Sequence, residues 1–230
     1  MRKRTLIIPS LIARGALGAL LLCVDPERAR RVYESVPRQE GQPVVLLDGV
    51  YWRRAVAWNF ADGAFPDAWS WGDWRVVDGL LEGRSADGTF AVYVTPIAHG
   101  GDFLLETRVR LVADAEGRSV EAHLLTRDSR ELHNESGVVL FGGQRRVSVR
   151  HMVGGTEHVL RVVKPDKPVG EGAWHLLRFA VRAGRVEARL DGVLLFRSDR
   201  SYPVGVYREP HLAVRNGVAQ FSSLKIFVAP

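Results

Sequence analysis

From residue 43 onward, apolar and polar residues alternate along the chain. In Phe103-Leu104-Leu105-Glu106-Thr107-Arg108-Val109-Arg110-Leu111, one flank collects Phe103, Leu105, Val109 and Leu111. Residues 146–150 and 185–190 alternate in the same way. An apolar residue at every second position marks a strand with one flank buried, the habit of antiparallel sheets. Four dipeptides sit between such runs: Asp78-Gly79, Ala183-Gly184, Asp191-Gly192 and Asn216-Gly217. They accept the positive φ angles of two-residue hairpins, so the last of them is expected to join residues 212–215 to 218–221 as a hairpin. The pattern predicts about 12 to 14 short strands with closely spaced turns, which argues for an all-β, antiparallel two-sheet sandwich or jelly roll.

The first 42 residues follow a different rule. Arg2, Lys3 and Arg4 precede an apolar run over residues 6–24, broken by Pro9, Ser10 and Arg14. A helix needs about 20 residues to span a bilayer, and this run reaches that length. It is expected as a retained hydrophobic helix, residues 1–24, with Leu6, Ile7, Ile8, Leu11, Ile12, Leu17, Leu20, Leu21 and Leu22 against lipid. The alternative is a cleaved export signal, but no pair of small residues precedes the polar turn at Asp25. Positive charge ahead of the span places that end in the cytoplasm and the rest in the periplasm or outside. Arg14 would cost roughly 2.5–3.5 kcal/mol in mid-span, a cost reduced by packing against other membrane helices. Residues 25–42 read as a short polar helix and linker, with Asp25 as cap, Pro26 in the first turn, and Pro37 and Gly41 at the end. The remainder, 43–230, is expected as one β-domain.

Composition adds limits. The chain has 230 residues, 46% hydrophobic and 25% charged, which is enough to bury a core. Part of its net charge of +6 sits in Arg2, Lys3 and Arg4 and the remaining arginines are scattered, mostly singly, along strands, without zinc-ligand spacing or a nucleic-acid-binding motif, so no nucleic-acid partner is expected. The single cysteine, Cys23, excludes an intramolecular disulfide.

Three segments resemble a known superfamily. Trp69-Ser70-Trp71-Gly72-Asp73-Trp74-Arg75-Val76-Val77-Asp78-Gly79-Leu80-Leu81 is similar to the W-x-V-x-D-G-x-L opening of concanavalin A-like lectin and glucanase sandwiches. Gly172-Ala173-Trp174-His175-Leu176-Leu177-Arg178-Phe179-Ala180-Val181, followed by 186–190 and Asp191-Gly192, resembles their G-x-W-H strand and V-x-V-x-x-D-G hairpin. Residues 217–226 resemble the closing strand. Laminin-G-like and 3-keto-disaccharide hydrolase-like domains share these features. The resemblance implies a jelly roll whose relatives bind glycan on a concave face or a rim loop. Its glucanase branch carries E-x-D-x-x-E on one strand, which this chain lacks. Glu131-Leu132-His133-Asn134-Glu135 is the nearest approach and reads as a loop. Where the keto-sugar branch has N-S-G-I, this chain has Asn134-Glu135-Ser136-Gly137-Val138.

Candidate chemistry is sparse. Trp52, Trp58, Trp69, Trp71 and Trp74 cluster early and are expected to pack the sandwich, and Trp174 is expected in its core. Glu121 and His123 share the outward flank of residues 119–124, opposite Val120, Ala122 and Leu124. Arg108, Arg110, Arg146, Arg150 and Arg161 occupy polar flanks of other strands; were those strands adjacent, they would surround Glu121 and His123 with a basic, hydrogen-bonding surface. Such a surface would hold an acidic glycan, an anionic head group or a protein. No nucleophile or third orienting group accompanies the pair, and no metal or cofactor is expected. The expected function is therefore a non-catalytic, membrane-tethered sandwich at the cell envelope, acting as a binding or structural subunit of a membrane-protein complex or as a glycan-binding module. A 3-keto-disaccharide-type hydrolase and a soluble exported lectin are the alternatives.

Overall fold

The computed structural model describes residues 44–47, 50–62, 69–94, 102–114, 118–128, 135–144, 146–166, 169–170, 172–199 and 208–229. The expected anchor and linker, with every lipid-facing position named above, lie outside the described residues. Among those described, no helix is long and apolar enough to cross a membrane.

Among the described residues fourteen strands, β1 to β14, pair antiparallel throughout. A front layer contains β7 (Glu121–Asp128), β8 (Glu135–Phe141), β9 (Arg146–Val153) and β10 (Thr156–Val163) in that order, with β3 (Trp69–Trp71) on the opposite side of the layer. A back layer runs through β6 (Phe103–Asp114), β11 (Trp174–Arg182), β12 (Arg185–Leu190) and β13 (Val193–Arg197). It is completed by β1 (Val44–Leu47), β2 (Val50–Asn59) and β4 (Asp73–Val77).

Two long strands belong to both layers. The first half of β14 (Arg208–Val228) pairs with β7, and the second half pairs with β6 and β2. Beside it, β5 (Leu80–Val94) follows both halves, with a register break between Arg215 and Gly217. Consequently β6 and β7, consecutive in sequence, do not pair with each other: they follow one another along the same edge of β14, β7 on its first half and β6 on its second, while β5 holds the other edge.

Alternation is what builds the core. Ala122 and Leu124 of β7, Val138 and Leu140 of β8, and Val147 and Val149 of β9 point inward from the front layer. Leu105, Val109 and Leu111 of β6 and Leu177, Phe179 and Val181 of β11 meet them from the back. Tyr93, Trp74, Phe60 and Phe221 form an aromatic group at tilted and edge-on angles, 5.6 to 6.4 Å between centroids. Complete burial of a side chain such as Phe221 contributes about 1.5–3 kcal/mol.

Three of the four expected hairpins form. Asp78-Gly79, Ala183-Gly184 and Asp191-Gly192 all carry two successive positive φ angles. The hairpin expected at Asn216-Gly217 is overturned, because both flanks are parts of the single strand β14. Positive φ, 58° at Asn216 and 152° at Gly217, here absorbs an irregularity in the ladder where the strand leaves one layer for the other. Each flank finds other strands on both sides, so nothing folds back. Trp174 also departs from expectation. Leu177, Phe179 and Val181 take the inward positions of β11, and Trp174 stands half-buried on the outer face.

Candidate functional site

The outward flank of β7 reads Glu121, His123, Leu125, Arg127. Neighbouring strands extend each position into a row across the front layer. Glu121 faces Phe141 of β8 and Arg215 of β14, and Phe141 in turn faces Arg146 of β9. His123 faces Val139 and Ala213, with Ser148 beyond Val139. Leu125 faces Gly137 and His211, with Arg150 beyond Gly137. Arg127 faces Glu135 and Glu209.

Glu121 and His123 are buried although they turn away from the sandwich core. His123 Nε2 lies 3.2 Å from Glu121 Oε2. Burial pushes the imidazole below its ordinary value, and the Glu121 carboxylate offsets this only in part. Burial alone would raise the Glu121 carboxyl. The hydrogen bond from His123 and the charges of Arg215 and Arg150 reverse that and hold it below the usual range. At neutral pH the pair is therefore a carboxylate and a neutral ring donating Nε2–H. Arg215 Nη1 is 3.9 Å from the other carboxylate oxygen, and Arg215 Nε donates to Gly88 O at 3.1 Å.

Aromatic rings bracket this pair. Phe90 lies edge-on to His123 at 5.4 Å and under Arg215 at 5.0 Å. Phe141 carries Arg146 at 4.5 Å and Arg150 at 5.3 Å. Stacking of this kind fixes guanidinium planes without consuming all their donors. Arg150 also donates to Ser148 Oγ at 2.9 Å and pairs with Glu157 at 3.0 Å.

A second cluster sits at the far end of the same flank. Arg127 and Glu209, each 1% exposed, form an ion pair at 2.6 to 2.7 Å through Nη2 and Nε. Arg127 Nη1 has no hydrogen-bond partner among the described residues. Glu135 lies 4.0 Å from His211 Nε2. Burial pushes Glu135 up to about 7, only partly opposed by Arg127, and burial and Arg127 together drive His211 down to about 3. Between pH 4.5 and about 7 the folded chain holds a proton on Glu135 that the unfolded chain has released. The stability this contributes is full below the lower value and is lost as pH rises through the upper one. Glu135→Gln is expected to gain about 2–3 kcal/mol over wild type near pH 8 compared with the same difference near pH 5, measured by urea unfolding.

The structure thus brings Glu121, His123, Arg146 and Arg150 together and separates the other three arginines. Arg108 and Arg110 belong to β6, in the back layer, and flank Trp174 on the opposite outer face at 5.9 and 5.0 Å. The adjacency imagined for them fails because β7 and β6 pair with successive halves of β14, so β6 continues into the other layer. Arg161 is exposed on the edge strand β10, opposite the inward-facing Val149 and beyond a register break. Sequence reasoning missed Arg215, Phe90 and Phe141, and the cluster of Arg127, Glu135, Glu209 and His211. Alternation over Glu209, His211, Ala213 and Arg215 was the available signal. Strand β8, apolar on both flanks after Ser136, offered none.

No family model matches the chain, and no curated protein does. Solved structures do. A carbohydrate-binding module from Bacillus subtilis is 21% identical with a TM-score of 0.56, covering 68% of this chain and 92% of its own. An endo-β-1,3-glucanase from Pyrococcus furiosus superposes with a TM-score of 0.69 at 9% identity, covering 82% of this chain and 99% of its own. A carbohydrate recognition domain gives 0.54 at 13% identity, with 74% of this chain and 92% of that one covered. The likeness is one of fold: the concanavalin A-like jelly-roll sandwich that the sequence resembles.

Proposed function

We propose that this chain is a non-catalytic binding sandwich that takes an acidic glycan on the outer flank of its front layer, with the apolar segment over residues 6–24 kept as a membrane anchor. One observation carries the glycan reading. The Glu121–His123 pair is bracketed by two stacks of ring and guanidinium, Phe90 with Arg215 and Phe141 with Arg146 and Arg150. Half-buried Phe90 offers an aromatic edge for sugar carbons, and the stacked guanidinium groups offer forked donors for a carboxylate or sulfate. Glu121 supplies an acceptor for hydroxyls. The presence of a carbohydrate-binding module and a carbohydrate recognition domain among structures of the same fold supports the class of ligand.

Hydrolysis finds less support on this face. Glycoside hydrolysis typically uses two carboxyl groups flanking the scissile bond, one of them protonated. Along β7 the outward positions offer Glu121 alone, and it is held ionised. A second reading, a glycoside-processing hydrolase, draws on Glu135, whose carboxyl near 7 suits a proton donor. Its row-mate Glu209 is engaged by Arg127.

Calorimetric titration of uronic-acid and neutral oligosaccharides tests the proposal. Arg150→Gln and Arg215→Gln are each expected to weaken the acidic ligand about 10- to 100-fold and to leave neutral sugars unaffected, since a charge-assisted hydrogen bond contributes about 1.5–3 kcal/mol. Equal binding of neutral and acidic sugars, insensitive to both variants, defeats it. Disaccharide cleavage abolished by Glu135→Gln establishes the hydrolase instead.

A further inference from the structure

Trp71 departs from the packing expected of its cluster. Trp52 is buried, and Trp58 and Trp74 lie against the core, whereas Trp71 is 39% exposed. Register places it on the same flank as the Glu121–His123 pair. Trp71 of β3 faces Val92 of β5, Val92 faces Ala213 of β14, and Ala213 faces His123 of β7. Partners in an antiparallel ladder point to one side of the sheet, so the exposed tryptophan and the glycan face share a surface.

Phe90 links the two. It precedes Val92 by two residues on β5 and so lies diagonal to Trp71 at roughly 7–8 Å, within reach of an aromatic side chain. Phe90 packs against Val92 and Ala213, and Arg215 stands over its ring at 5.0 Å. An apolar strip therefore runs from the charged bracket to the edge of the layer, where β3 pairs with β5 and with no other described strand. Trp74, which packs on the core, donates Nε1–H to the Trp71 carbonyl at 3.2 Å and ties this edge to the sandwich.

Two strand spacings, about 10 Å, separate β3 from β14, the strand carrying Arg215. That span fits two adjoining pyranose rings and is too wide for one. Beside Trp71 the row supplies Val92 and then Ala213, so a second carboxylate placed there would meet no charge in those positions. An uncharged sugar, with its apolar C–H face, matches an exposed indole.

We infer that Trp71 is the stacking platform for an uncharged sugar joined to the acidic one, so that the preferred ligand is a mixed acidic and neutral oligosaccharide and not a run of uronates. This rests on the front-face glycan reading and adds the neighbour of the acidic residue, which the arginines do not select.

The test titrates the full chain in detergent with glucuronic acid, with a disaccharide of glucuronic acid and N-acetylglucosamine, and with digalacturonic acid. The mixed disaccharide is expected to bind about tenfold tighter than glucuronic acid alone, the factor a well-placed aromatic contact contributes, and digalacturonic acid to show no such gain. Trp71→Ala is expected to bring the ratio of mixed disaccharide to glucuronic acid close to one, and Trp71→Phe to keep most of it. The mixed disaccharide is also expected to shift the tryptophan emission of the wild type and not that of Trp71→Phe. Arg215→Gln is expected to weaken both ligands together and preserve their ratio. An unaltered ratio in Trp71→Ala, with acidic sugars still selected over neutral ones, overturns the inference and leaves the front-face reading standing. An equal gain from digalacturonic acid does the same. If none of the three sugars binds, the front-face reading falls and the inference falls with it.

Discussion

Arg127→Met is expected to lower the unfolding free energy by about 3–5 kcal/mol, the cost of leaving a buried carboxylate without its partner. Methionine keeps much of the side-chain volume and removes the guanidinium. Glu209, 1% exposed and paired to Arg127 at 2.6 Å, would then be stranded away from water. Burial also raises Glu135 on the adjoining strand, and the Arg127 charge is what opposes that rise, so the variant loses two electrostatic contacts at once. Urea unfolding monitored by tryptophan fluorescence measures the loss. The double variant Arg127→Met with Glu209→Gln is expected to recover most of it, because the penalty lies in the uncompensated charge. If the double variant is as unstable as the single one, the pair matters through packing instead.

Gly217→Ala is expected to cost about 3–5 kcal/mol, combining backbone strain with overpacking. A methyl group there would collide with the Ala113 carbonyl oxygen and lie 2.9 Å from Val120 Cβ, on a backbone at φ 152°. Ala113 sits on β6, the neighbour of β14 in the back layer, and cannot withdraw without breaking the Val218–Ala113 pairing. Replacing Gly192 by alanine gives the contrasting case. That glycine has a positive φ but open space around its missing Cβ, so only the strain remains. Comparison of the two thermal midpoints separates close approach from conformational preference.

The layers were legible in the sequence because alternation is a local property. Phe103, Leu105, Val109 and Leu111 occupy the core as their spacing requires, and Asp78-Gly79 and Asp191-Gly192 turn as their residues allow. The identity of neighbours was not legible. Glu121 and His123 could be placed on one flank, but which arginines join them depends on β14 arriving from ninety residues later in the chain. Arg108 and Arg110 were assigned to the wrong company for that reason, and Arg215 was overlooked. Asn216-Gly217 shows the same limit at short range. A pair of residues tolerating positive φ serves equally for reversing a chain and for passing an irregularity along it, and distant pairing decides between them. Trp174 fell on the unexpected side because the three-residue run Trp174-His175-Leu176 shifts nothing in the pattern, while Leu177 begins the buried series.

Strands β5 and β14, threaded through both layers, have a mechanical meaning. Two stacked plates held only by grease can shear past one another. Here a pair of continuous backbones, bonded side by side, rivets the plates together, so Arg215 in the front layer and Lys225 in the back layer are joined by peptide links and not only by interdigitated side chains. Sliding one layer over the other would have to strain these two backbones as well as part the packed side chains.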